Sequence, residues 1–263
     1  MLWVLGVKKL FLWVILLITS MLSKQTISEI ITQNFAKAYT LHTLGIPFYL
    51  HENDVLEQIC EQKSLSLLYV EKLLQEDNSF KPLDTRKFKN APLDTLISYL
   101  KYQHVIFLQK KIPFVKHLIE QLSAKDTQNQ RLINDLQIMF PLFAEDFVLH
   151  TREEENNLFH YINALQESKS TQQYEFLHKY SLQAFAVAHD THDDELEGIR
   201  EITQDYALPA DASLLLKVTF WHLQELEKYL KQHAYIENEI LFPKALVLEN
   251  EVKSQWSKRI QWN

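Results

Sequence analysis

Apolar residues along this chain recur at steps of three and four, the period of a helix with one buried face. Four long stretches carry that period, at about 93–121, 130–165, 172–204 and 211–247. The breaks between them, "SAKDTQNQ", "ESKST" and "DYALPADAS", are rich in turn formers. Four helices with short connections predict an all-α, antiparallel four-helix bundle over 93–250. Ahead of the bundle, 26–76 reads as a small helical domain. Its first helix is capped by Thr26 or Ser28 and stopped by Gly45, its second is capped by Asn53 or Asp54, and "SLSLLYVEKLLQE" forms a third. Residues 77–92 hold two prolines, mixed charge and no periodicity, which predicts a linker.

Composition fits this helical pattern, with only 3 glycines and 7 prolines in 263 residues and 46 % hydrophobic residues, enough for a substantial core. The net charge of −7 is spread along the chain with no Lys/Arg stripe, which argues against nucleic acid as a partner. Cys60 is the single cysteine, so one chain can build no disulfide, thiolate zinc site or cysteine-held cluster, and any metal site must use His and carboxylate. Residues 1–22 contain an apolar run, Leu10 to Ile18, behind two lysines. The run has the length of a signal-peptide core rather than a membrane span. Three readings stay open for this segment: a start assigned too early with Met21 as the true one, an uncleaved anchor, or a cleaved signal. The expected location is the cytoplasm, with membrane contact only if residues 1–20 are an anchor.

Chemistry enters where the apolar stripe is interrupted. In the second bundle helix the inward positions read Phe143, Phe147, His150, Glu154, Leu158, and in the fourth Leu226, Leu230, His233, Glu237, Leu241. Each member of the second set lies 83 positions after its counterpart, as from His150 to His233. A His and a Glu one turn apart on an apolar stripe both point into the bundle. A buried carboxylate without compensation costs several kcal/mol, on the order of 3–5, so two such insertions call for a cation. The first and third helices each add one histidine on a comparable stripe, Ile97, Leu100, His104 and Leu182, Phe185, His189, offset by 85. His192 is a rival to His189 on nearly the same face. The bundle thus reads as a tandem duplication that brings imidazoles and two carboxylates toward one point. Such donors without thiolate suit iron or manganese, and bridging carboxylates from facing helices can hold two ions. Glu153 and Glu155 flank Glu154 on other faces and read as solvated. His42, His51, His117, His160, His178 and His222 read as surface or satisfied interior residues.

From about Ile27 to Leu246 the sequence resembles the Repair of Iron Centres family, di-iron proteins with a hemerythrin-like bundle behind a short N-terminal domain. "HAYIENEILFPKAL", from His233, is similar to that family's stretch His-x-x-x-Glu-Asn-x-x-Leu-Phe-Pro-Arg-Ala, and "HDTHDDELEGIREIT", from His189, resembles its third-helix segment. The resemblance implies a metal site of His104, His150, Glu154, His189, His233 and Glu237, with His189 preferred over His192. It also implies an oxo-bridged pair of iron ions as cofactor. In the first helix the family's ligand position falls on Val105, one residue after His104. In the N-terminal segment "LGIPFYLHENDVLEQIC", Tyr49 and Leu50 replace the family's paired cysteines while Cys60 remains. The implied function is repair of iron–sulfur clusters damaged by nitrosative or oxidative stress, with iron donation as one route and iron–sulfur client proteins as partners. A di-iron reductase of nitric oxide or peroxide, or a hemerythrin-type oxygen-binding or sensing protein, would use the same core with a diatomic gas or peroxide as ligand. Whether the protein is an enzyme stays open at this level, and a homodimer is compatible with the sequence.

Overall fold

The computed structural model describes residues 22–76, 79–167, 179–190 and 196–261; the side chains of 187–190 and 259–261 fall outside that description, as does the N-terminal segment 1–21. Among the described residues the fold is all-α, and extended backbone pairs only in the isolated bridge between Thr26 and Val55. None of the described helices is long and apolar enough to cross a membrane. The described residues divide into two compact units, the first made of those up to Ser79 together with Ala124–Gln128 and Leu208–His222, the second of the other described residues.

In the first unit, Thr26 opens the helix Ile27–Gln33 with a capping box. Its hydroxyl accepts the Glu29 N–H at 3.3 Å and the Glu29 carboxylate accepts the Thr26 N–H at 2.8 Å. The single helix expected up to Gly45 is broken by Asn34, whose side-chain oxygen accepts the Ala36 N–H at 2.9 Å in a local turn. A second helix, Lys37–Thr43, follows, and Gly45 ends it at φ +70°, a conformation that an L side chain would strain. Leu56–Gln62 and Leu67–Leu74 complete the set around a core of Ile27, Ile30, Ile31, Leu41, Ile46, Phe48, Leu56, Ile59 and Val70. Cys60 lies buried there, and burial, then the neighbouring Glu71, push its thiol up, so it is a packing residue and not a nucleophile.

The second unit carries the bundle. Its helical stretches are Leu93–Ile106 continuing through Ile112–Gln121, Gln130–Glu153 continuing through Phe159–Gln166, the pair Leu182–Asp190 and Glu197–Thr203, and, from Leu223 on, the helix Leu214–Ile236, which continues through Phe242–Gln261. The last helix therefore runs beyond the expected end near 247. Three of these stretches are joined by a π turn, at Phe107–Lys111, Glu154–Leu158 and Glu237–Leu241. In each, the amide after the turn bonds five residues back: Ile112 to Phe107, Phe159 to Glu154, Phe242 to Glu237. Such turns insert one residue and cluster at functional positions.

Residues expected to be a plain linker carry the short helix Thr85–Lys89, opened by the Asp84 carboxylate on the Arg86 N–H. This segment lies along the bundle. The Leu83 N–H donates to the Gln232 side chain at 2.9 Å, Lys244 Nζ donates to the Ala91 carbonyl, and Leu83, Phe88 and Ala91 pack on a core that includes Leu96, Leu100, Phe159, Ile162, Leu241 and Phe242.

At the far end of that core the buried Glu249 accepts the Tyr161 O–H at 2.6 Å and the Leu182 N–H at 3.2 Å, and pairs with Lys253 at 3.0 Å. Burial raises its pKa most, but the Tyr161, Lys253 and Leu182 bonds together outweigh that and hold the carboxyl below its ordinary value. A group depressed in this way contributes stability above its unfolded pKa and loses it as pH falls through the folded one. Glu249→Ala, which strands a buried phenol, is expected to cost about 1–3 kcal/mol in denaturant unfolding at neutral pH. Glu249→Gln is expected to flatten the fall in stability below the ordinary carboxylate pKa of 4.5. An unchanged acid limb would show that the pairing does not form.

Candidate metal centre

Four of the sequence-predicted residues converge in the second unit. One ligand atom each from His104, Glu154, His233 and Glu237 lies within 4.8 Å of all the others. The four are 1 %, 3 %, 3 % and 0 % exposed, so both carboxylates are held away from bulk water. His104 closes one helical segment just before the first π turn, whereas Glu154 and Glu237 each open a π turn. His104 Nε2 stands 3.1 Å from Glu154 Oε2, and His233 Nε2 stands 3.4 Å from Glu237 Oε1. The rings are enclosed by aromatic side chains: Phe159 stacks on His104 and Phe107 meets His233 edge-on.

The outer nitrogens fix the tautomers. His104 Nδ1 is 2.8 Å from Glu155 Oε1, and a carboxylate can only accept, so Nδ1 carries the proton. His233 Nδ1 is 2.9 Å from the side-chain oxygen of Gln103, whose amide nitrogen donates to the Tyr99 hydroxyl at 2.8 Å. In their neutral forms both rings therefore turn a bare lone pair inward, and the two Nε2 atoms are 3.2 Å apart. Two lone pairs at that separation, flanked by two carboxylates, repel one another unless a positive charge lies among them. Burial alone lowers the basicity of His104, but Glu154, Glu155 and Glu237 outweigh it and hold the ring above its ordinary pKa. The same carboxylates that favour a proton there also favour a cation. Two imidazole nitrogens and two carboxylates, without sulfur, are a donor set that fits iron, manganese or zinc.

The other expected ligands are placed differently. His150 lies beside the cluster, with Nε2 at 3.0 Å from Glu154 Oε1. His189 belongs to the helix Leu182–Asp190, but its side chain, like the whole of His192, lies outside the described residues. In the first helix Val105 faces outward at 44 % exposure while His104 is buried, so the chain itself favours His104 over the family register. Gln103 and Glu155 take part in the site although the helical pattern marks neither. Glu155 reads as solvated on a regular helix, yet the π turn at Glu154–Leu158 brings two successive glutamates to His104.

No family model matches the chain. Curated relatives do. An iron–sulfur cluster repair protein YtfE from Musicola paradisiaca is 23 % identical, covering 77 % of this chain and 87 % of its own. An iron–sulfur cluster repair protein ScdA from Staphylococcus haemolyticus is 20 % identical over 84 % of this chain and 98 % of its own. A YtfE protein of the same description from Pectobacterium atrosepticum is 23 % identical over 77 % and 88 %. Several relatives of one description, each matched over most of its own length at 20–23 % identity, are similar to this chain and agree with its resemblance to the Repair of Iron Centres family.

Proposed function

We propose that this protein holds iron at the His104, Glu154, His233, Glu237 cluster and serves in the repair of iron–sulfur clusters. One observation carries the reading: two inward imidazole lone pairs and two carboxylates meet in a water-excluded pocket that a cation would neutralise. The relatives' names supply the direction, since each is an iron–sulfur cluster repair protein.

The finer reading is a pair of ions. The tandem repeat offers two His-x-x-x-Glu pairs and two single histidines, so His104, His150, His189 and His233 would supply nitrogen and Glu154 and Glu237 would supply carboxylate oxygen. Bound iron would supply Lewis acidity and one-electron redox chemistry, and labile iron for a damaged client cluster. The protein's own residues do the rest. Phe107, Phe147 and Phe159 keep water from the donors, and Glu155 and Gln103 hold the two imidazoles with Nε2 turned inward.

The test is iron quantification with an electronic spectrum on the full chain, loaded anaerobically with Fe(II) and then exposed to air. About two irons per chain, absent from a Glu154→Ala, Glu237→Ala double variant, is the expected result. Iron-free protein after loading would overturn the reading. Transfer to an apo iron–sulfur protein separates donation from turnover, because catalytic loss of nitric oxide or peroxide with a reductant would make the chain a reductase.

A further inference from the structure

The two imidazoles of the cluster are supported from behind by unlike groups, and each support comes from the chain neighbour of another ligand. Gln103, next to His104 on the first bundle helix, orients His233 of the last helix at 2.9 Å. Glu155, next to Glu154 on the second helix, orients His104 of the first at 2.8 Å. Gln103 is buried, and its amide is pinned by Tyr99. The Tyr99 hydroxyl in turn bonds Gln232, whose oxygen accepts the Leu83 N–H. The support of His233 is therefore neutral and rigid, and that of His104 is a partly exposed carboxylate.

We propose that Gln103 and Glu155 are the positioning residues of His233 and His104, and that their difference makes the site release its cations in order, the one held through His233 first. This rests on the finer reading above, in which the site holds a pair of metal ions and His104 and His233 serve different ions. A carboxylate that accepts the Nδ1 proton pushes more charge into the ring than an amide does, so Nε2 of His104 is the stronger donor. The amide-backed ring of His233 is the weaker one. A protein built in this way keeps one ion while it surrenders the other.

The experiment loads the full chain with Co(II) alone and, separately and anaerobically, with Fe(II), and follows release to excess chelator. Wild-type protein is expected to release in two phases. Gln103→Glu gives His233 the same backing as His104 and is expected to slow the fast phase about 10-fold, whereas Glu155→Gln speeds the slow phase by a similar factor. The two exchanges are nearly isosteric and have opposite signs, which loss of packing does not produce. Single-phase release, or both exchanges moving the rates the same way, overturns the proposal while leaving metal binding intact. Failure of the wild-type chain to take up either ion overturns the metal reading as well.

Discussion

Replacement of Glu237 by leucine is expected to abolish iron binding and, in the metal-free protein, to raise stability. Glu237 is fully buried in the second unit, and around it stand His104, His233 and a second buried carboxylate, Glu154, with Glu155 at the edge. Without metal, three imidazoles, His104, His150 and His233, face three carboxylates, so balancing the ionised carboxylates would require all three rings to be protonated together in one largely buried site. Removing such a group in favour of an apolar one of similar volume commonly stabilises a protein by about 1–4 kcal/mol. In a chain of this size each kcal/mol moves Tm by roughly 2–4 °C. The wild-type protein should gain in the opposite condition, because a cation bound only by the folded state adds about 4 kcal/mol at a thousand times its Kd.

The order of stabilities should thus invert with loading. Glu237→Leu should lead when both proteins are metal-free and wild type should lead when Fe(II) is present. Thermal unfolding under anaerobic conditions, with chelator and with Fe(II), reads both. A metal-free Glu237→Leu protein less stable than metal-free wild type would mean that Glu237 serves the fold by pairing with imidazolium, and the case for a metal ligand would lose its physical basis.

This inversion also explains what could be read from the sequence. A fold does not place His and Glu at the same two points of duplicated apolar stripes for packing, so His150 with Glu154 and His233 with Glu237 stood out by their shared offset of 83. Periodicity likewise marked the all-α class and the first, second and last bundle stretches, whereas of the stretch expected at 172–204 the described residues show two helices, Leu182–Asp190 and Glu197–Thr203. Periodicity was blind to what depends on contacts between helices. Gln103 and Glu155 are ordinary polar residues on their own helices and acquire a role only because His233 and His104 approach from others. The helical wheel also assumes 3.6 residues per turn, and one inserted residue moves later side chains by about 100°. Three π turns broke that assumption at the site, which is why Glu155 reads as solvated in sequence and touches His104 in the fold.

Two of those turns nevertheless leave a mark in the sequence. Pro113 and Pro243 each stand one residue after the amide that closes a π turn, Ile112 and Phe242. Proline has no N–H to offer the carbonyl four residues earlier, and its ring excludes that carbonyl, so regular α-helix is penalised by roughly 3 kcal/mol there and a wider turn is the escape. His160 holds the corresponding position after Glu154–Leu158, so that turn rests on other contacts, among them Phe159 against His104. Pro243→Ala should therefore let Glu237–Leu241 tighten toward an α-helical path without loss of stability. Beyond the turn, Phe242, Ala245 and Val252 are buried anchors that fix the rotation of the last segment. The re-phasing must then fall on the segment before it, which carries His233 and Glu237. With every donor still present, the affinity for Co(II) in competition with a chelator is expected to fall at least 10-fold, the scale seen when a ligand's orientation is disturbed. Pro113→Ala should act in the same sense on His104. If Pro243→Ala binds Co(II) as tightly as wild type, the wide turn does not depend on proline, and the ligands are aimed by the bundle core alone.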